Sequence, residues 1–196
     1  SYFIFAGLEE ALQYLQNISF TEEHLVYLKK QGLHDDFLEY LHTFQFTGDV
    51  WAVPEGTVAF PNEPLIRVTA PIIESQLVET FLLNTINLQT MIATKASRVV
   101  HAAKGKSVFE FGLRREHGVD AGMKVARSSY IAGCQGTSNV LAAMAYGIPV
   151  FGTMAHSFVM SYPKEIDAFR AFAKTFPNKS TLLIDTYDEM AGAEKA

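Results

Sequence analysis

Cysteine is almost absent from this chain. Cys134 stands alone among 196 residues, so no disulfide can close within it and a reducing compartment is expected. An initiating methionine is absent too, which suggests that residues upstream have been removed, and the start shows no signal-peptide pattern. Long apolar runs are missing. The longest, Val140 to Met160, is interrupted by Gly147, Pro149, Gly152, Thr153 and His156, which excludes a membrane span and leaves a soluble, cytoplasmic protein as the expectation. Repeats and low-complexity tracts are lacking. No His or Cys pair has metal-ligand spacing, so no metal site is expected among these side chains. Basic charge is not in excess: a net charge of −5 argues against a general nucleic-acid or membrane-surface binder.

What is present is a hydrophobic content of 48%, enough to bury a core of one or two domains. The charge is unevenly spread. Lys95 to Arg127 holds eight basic and three acidic residues, whereas the remainder is strongly acidic. A basic segment inside an acidic chain suits a small anionic ligand better than a long polyanion. Lys95, Lys104, Lys106 and Lys124 are equally read as solvated helix charges.

Helical periodicity runs from Gly7 to Tyr40, with Thr21 starting a second helix and Gly32 closing it. Short strands are predicted at Trp51–Val53, Thr57–Phe60 and Leu65–Val68, separated by Pro- and Gly-bearing turns. A long helix follows from about Ile73 to Ala103, with Leu77, Phe81, Thr85, Leu88 and Ile92 on its buried side. Beyond it, strands at Ser107–Phe111, Val150–Thr153 and Thr181–Asp185 alternate with helices at Ala121–Ala132, Ser138–Tyr146 and Glu165–Thr175. Alternation of this kind implies a parallel sheet covered by helices. The expected fold class is α/β: an α+β N-terminal domain with its connecting helix over residues 1–104, then part of an α/β barrel over 105–196. The strands supply about half of those a closed barrel needs.

Three segments follow apolar runs and carry the candidate chemistry. Phe109-Glu110-Phe111-Gly112-Leu113-Arg114-Arg115 ends on two guanidinium groups, whose planar fork matches a carboxylate, and Phe111 can stack on a planar ring. The competing reading pairs one Arg with Glu110 or Glu116. Gly136-Thr137-Ser138-Asn139 precedes a helix, where Thr137 or Ser138 is a natural N-cap and free amides favour an anion. Gly152-Thr153-Met154-Ala155-His156-Ser157 sets His156 just past an expected strand, as acid, base or phosphoryl acceptor. Ligands of parallel α/β folds sit where strand ends converge, so Arg114, Ser138 and His156 are expected at one mouth. The other five histidines are read as surface or boundary residues. Asp185 and Asp188 stand where a Mg²⁺–phosphate could approach, but a plain strand-end turn needs no function of them and is slightly favoured.

Taken together, Glu110 to Arg115, Gly136 to Asn139 and Ala155 to Ser157 resemble the nicotinate phosphoribosyltransferases, type II phosphoribosyltransferases, in order and spacing. The resemblance implies an ATP-assisted enzyme of NAD biosynthesis that makes nicotinate mononucleotide and pyrophosphate from nicotinate and phosphoribosyl pyrophosphate, with Mg²⁺ and ATP required. It makes His156 the residue phosphorylated by ATP, sets Arg114 on the pyridine carboxylate and Phe111 on the ring, and adds Arg115, Thr137, Ser138 and Ser157 to the substrate-binding set. Nicotinamide-using relatives carry Asp where Ser138 stands, so Ser138 favours nicotinate. A homodimer or higher homo-oligomer is implied. The family's N-terminal Tyr-bearing segment and later barrel strands are not found here, which makes a truncated protein the expectation. Two alternatives stay open: a non-catalytic remnant that only binds pyridine carboxylates, and a nicotinamide phosphoribosyltransferase-like enzyme.

Overall fold

Apolar residues recurring at helical spacing build three short helices, α1 (Leu8–Asn17), α2 (Glu22–Lys30) and α3 (Asp35–His42). The computed structural model describes residues 1–196. Thr21 caps α2 as expected: its hydroxyl accepts the His24 N–H at 3.3 Å, and His24 Nδ1 accepts the Thr21 N–H at 3.2 Å. This is a capping box with an imidazole in place of the usual Glu or Gln. Gly32, at φ 92°, follows the end of α2.

Strands β1 (Phe3–Ile4), β2 (Asp49–Ala52), β3 (Val58–Ala59) and β4 (Ile66–Thr69) form two antiparallel ribbons, β1 with β3 and β2 with β4. The three strands expected between Trp51 and Val68 are present. β1 is an addition, too short to show alternation. Its backbone is used on both sides. Phe5 N–H bonds Thr57 O at 3.0 Å and Phe5 O accepts the Gly56 N–H, while Ile4 N–H goes to Thr94 Oγ1 at 2.9 Å and Ala6 N–H to Thr90 Oγ1 at 3.3 Å. Odd residues thus face the ribbon, and even residues face the long helix α4 (Ile72–Ala102), following the two-residue period of a strand.

That helix starts and ends within a residue of the expected bounds. Its deepest stripe is different, however: Val78, Leu82, Thr85, Ile86, Gln89, Thr90, Ala93 and Thr94 are buried, whereas Leu77, Phe81, Leu88 and Ile92 are half-buried. Apolar spacing overlooks a helix face whose Thr hydroxyls replace a strand edge. Phe5, Ala11, Leu15, Val78, Leu82 and Ile86 make the core beside it. Full burial of a side chain such as Phe5 contributes roughly 1.5–3 kcal/mol. No helix, α4 included, is long and apolar enough to cross a membrane.

Beyond α4 come β5 (Phe109–Glu110), helix α5 (Val119–Ile131), β6 (Gly136–Thr137) and α6 (Val140–Tyr146), with β5 and β6 paired in parallel. This β–α–β unit is the parallel α/β start that alternation predicts. Then follow α7 (His156–Met160), α8 (Glu165–Thr175) and α9 (Glu189–Lys195). The strands expected at Val150–Thr153 and Thr181–Asp185 are not formed; Val150 is a lone bridge residue and the rest have no ladder. Their apolar character answers to burial instead. Met154 belongs to a core with Val159, Ala168 and Phe169, and Leu182, Leu183 and Ile184 pack on it. Packing divides the chain into two compact units, Ser1–Ile148 and Pro149–Ala196.

One carboxylate ties the first unit together. Glu55 Oε1 accepts the Gly7 and Leu8 amides at 2.6 and 3.0 Å and Arg127 Nη1 at 2.9 Å, while Oε2 accepts Arg127 Nη2 at 2.7 Å. Burial raises the Glu55 carboxyl, but the hydrogen bonds and charge of Arg127, with the two amides, outweigh it and hold the group below its ordinary 4.5. A lowered folded value means stability that is present above about pH 4.5 and lost as pH falls through the folded value. Arg127→Ala is therefore expected to cost about 3 kcal/mol in denaturant unfolding at pH 7. Between pH 7 and pH 4, Glu55→Gln should lose less stability than the unsubstituted protein; equal losses would refute the role given to Glu55.

Candidate functional site

Phe111, Arg114 and Arg115 lie just past β5, the two arginines in a single 3-10 turn (Leu113–Arg115). Both guanidinium groups are exposed, and neither forms an ion pair with Glu110, Glu116 or any other carboxylate of the chain. The alternative that one is spent on a neighbouring acid does not hold. The turn is seated closely on α5: a Cβ at Gly122 would overlap the Leu113 side chain. A side chain there would have to displace the Leu113 methyl.

Opposite β5, the Thr137–Asn139 segment turns from β6 into α6. The Ser138 N–H bonds Glu110 O at 2.9 Å, so Ser138 stands beside the strand that leads to the arginines. Its hydroxyl has no protein partner and the residue is half-buried. Thr137 is fully buried, and its hydroxyl donates to Glu110 Oε2 at 2.6 Å while accepting the Asn139 N–H at 3.0 Å. The cap of α6 is neither Thr137 nor Ser138 but Asn139, whose Oδ1 accepts the Ala142 N–H at 3.1 Å. Three consecutive cap-forming residues stand here, and propensity cannot choose among them. With that amide taken and only seven residues in α6, the helix end has little to offer an anion.

A cleft of about 490 Å³ opens along β5, between α4 and α5, lined by Val99, Val108, Phe111, Arg115, Val125 and Cys134 among others. Lys95 and Arg115 line it together with Glu110 and Glu116, over an apolar floor with the Phe111 ring, while Arg114 is not part of the lining; the size lies in the usual range for ligand pockets. Burial pushes the Cys134 thiol up, and the charge of Glu110 adds to it, so this cysteine is a poor nucleophile. A larger groove, about 750 Å³, lies elsewhere, against α1 and α2, lined by Tyr14, Ile18, Phe20, His24 and Tyr27. It holds no arginine or lysine, so of these two the β5 cleft is the better match to an anion.

His156 and Ser157 belong to the second unit, as the first two residues of α7. His156 Nδ1 is 3.3 Å from Thr186 Oγ1 and 4.0 Å from Asp185 Oδ1. Nε2 has no protein partner, and the side chain is half-exposed. A ring nitrogen held by the Thr186 hydroxyl, with a carboxylate on the same side, presents its other nitrogen for reaction. Ser157 is exposed. Asp188 is the plain turn residue it was read as, its Oδ1 capping α9 through the Ala191 N–H at 2.8 Å. Asp185 is not; its carboxylate faces the histidine, a pairing that a separation of 29 residues conceals. The other five histidines are exposed, two of them with local roles: His24 in its cap and His42 against Glu22 at 3.2 Å. No three His, Cys, Asp or Glu side chains gather as a metal site.

The family model for the nicotinate phosphoribosyltransferase (NAPRTase) N-terminal domain matches residues 1–87, and that for the nicotinate phosphoribosyltransferase (NAPRTase) family matches residues 106–194. Nicotinate phosphoribosyltransferase pncB2 of Mycobacterium tuberculosis is 56% identical over 99% of this chain and 42% of its own length. The Bacillus subtilis nicotinate phosphoribosyltransferase is 47% identical over 96% of this chain and 39% of its own. The crystal structure of human nicotinic acid phosphoribosyltransferase superposes with a TM-score of 0.86 at 29% identity, over 96% of this chain and 48% of that one. That of nicotinate-nucleotide pyrophosphorylase from Pyrococcus furiosus gives 0.79 at 28%, over 99% and 43%. The chain thus spans about two-fifths of the curated relatives it matches. Family models that tile nearly all of the sequence, together with a shared fold, show that the chain belongs to the nicotinate phosphoribosyltransferase family.

Proposed function

We propose that the protein joins nicotinate to phosphoribosyl pyrophosphate, giving nicotinate mononucleotide and pyrophosphate with the help of ATP, in NAD biosynthesis. The observation that carries this reading is the pair of unpaired guanidinium groups, Arg114 and Arg115, one of which shares a cleft with Phe111. Arg114 takes the pyridine carboxylate in a two-point hydrogen-bonded pair and Arg115 supports the charge from the cleft wall. Phe111 stacks on the ring. Ser138 leaves the carboxylate unopposed, where an aspartate would repel it and welcome an amide NH₂.

Attack of the ring nitrogen on the anomeric carbon needs the ring held in line, and holding it is what this chain's residues contribute. His156 is assigned as the phosphoryl acceptor through Nε2, with Asp185 and Thr186 orienting the ring from Nδ1, and Ser157 as a further substrate contact. This chain gathers no metal cluster of its own. Mg²⁺ fits only as a partner of substrate phosphates, with Asp185 as the candidate carboxylate, since Asp188 is spent on its cap. The domain boundary proposed at residues 104–105 falls between the two family-model matches. A cytoplasmic homodimer or higher homo-oligomer completes the reading, by resemblance.

Chromatographic assay with nicotinate, phosphoribosyl pyrophosphate, Mg²⁺ and ATP should yield the mononucleotide from nicotinate and little from nicotinamide. No product from either base would overturn the reading. Arg114→Ala is expected to raise the KM for nicotinate at least about tenfold, the loss of one charge-assisted pair, with the KM for phosphoribosyl pyrophosphate unchanged. Ser138→Asp should lower the nicotinate-to-nicotinamide ratio of kcat/KM. Radiolabel from the γ-phosphate of ATP should appear on the protein as an acid-labile adduct, and His156→Asn should abolish it.

A further inference from the structure

Glu110 lies one residue before Phe111, yet its side chain turns inward and is 92% buried. No lysine, arginine or histidine pairs with it. A buried carboxylate without a cation is costly unless its oxygens are hydrogen-bonded, so the donors it has recruited are informative. One oxygen, Oε1, accepts the Gly112 N–H, at the entry to the arginine turn. The other, Oε2, accepts the Thr137 hydroxyl at 2.6 Å. Thr137 Oγ1 in turn accepts the Asn139 N–H, and Asn139 Nδ2 donates to Gly122 O at 3.3 Å, on the helix that seats the arginine turn.

Every donor on this carboxylate therefore comes from one of two segments: that leading to Arg114 and that bearing Ser138. The backbone makes room for it as well. A Cβ at Gly112 would lie 3.0 Å from Glu110 Oε1 and 2.6 Å from Glu116 Oε1. An ionised carboxylate accepts on both oxygens at once, whereas an amide of the same shape has one oxygen and must turn its NH₂ toward one of the two donors.

We propose that Glu110 is a positioning residue that fixes the spacing between Arg114 and Ser138 through Gly112 and Thr137, and so sets the preference for a pyridine carboxylate over a pyridine amide. Thr137 acts through Glu110 rather than by touching the substrate. The inference rests on the nicotinate reading of the same site.

Thr137→Val removes the bridging hydroxyl with little change of shape, Thr137→Ser keeps it, and Glu110→Gln breaks one of the two ties. In the full protein, Thr137→Val and Glu110→Gln are expected to raise the KM for nicotinate roughly tenfold or more, since small misplacements of positioning groups are amplified in this way. The KM for phosphoribosyl pyrophosphate should stay unchanged, the nicotinate-to-nicotinamide ratio should fall, and Thr137→Ser should restore both. Hydrogen exchange at the Gly112 and Ser138 amides should rise in Thr137→Val, with Ile4 and Ala6 unaffected. Should that variant fail to fold, Glu110→Gln carries the same comparison. Unchanged base preference, or equal losses for both bases and phosphoribosyl pyrophosphate, would overturn the positioning role. If the unsubstituted protein uses neither base, the nicotinate reading falls and takes the specificity claim with it. The exchange contrast then decides alone whether Glu110 ties the two segments.

Discussion

The first unit depends on the Glu55–Arg127 pair. α1 begins at Gly7 without any side-chain cap of its own, and Glu55, from a turn 48 residues later, supplies the acceptor for its first two amides. An anion at a helix N-terminus is favoured by both the free N–H groups and the dipole. Arg127 extends the tie to α5, whose Lys124 also reaches Glu10 on α1 at 3.1 Å. Because α5 seats the arginine turn through Gly122, the position of the candidate ligand-binding groups follows from a contact far from them in sequence.

The same device recurs through the molecule. Glu74, buried, accepts the Thr47 amide and hydroxyl at 2.7 and 2.8 Å, and Glu165 is paired with Lys195 at 3.0 Å. Glu110 binds two loop segments without any cation. Part of the acidic excess of this chain is thus neither solvated surface nor substrate chemistry. Glu55, Glu74 and Glu110 act as acceptors for loop amides and hydroxyls, which would otherwise be buried without partners, whereas Glu165 answers the Lys195 ammonium.

This explains how much could be read from residues alone. Helix ends at Gly32 and Gly147, the Thr21 cap and the 31-residue α4 were legible, because periodicity and punctuation are local signals. The Phe111–Arg115 and Ser138 segments were legible as a pair of candidates because each follows an apolar run. The partners that Glu110, Glu55 and Asp185 take in the structure were not, since an acidic residue gives no local sign of a hydrogen bond to a segment distant in sequence. Val150–Thr153 and Thr181–Asp185 failed as strands for a related reason: apolar runs report burial, and burial here comes from helix packing without a ladder.

The Thr90 and Thr94 hydroxyls against β1 carry one more consequence. A strand with a bare side is a template on which another chain can add its own strand, the first step of swapping or fibrous aggregation. On β1, one side is taken by β3 and the other is plugged by side chains of a helix that cannot be extended as a sheet. Recruitment of a second chain has no foothold on β1, and would have to begin at another strand edge, as on the β2–β4 ribbon, which consists of those two strands alone.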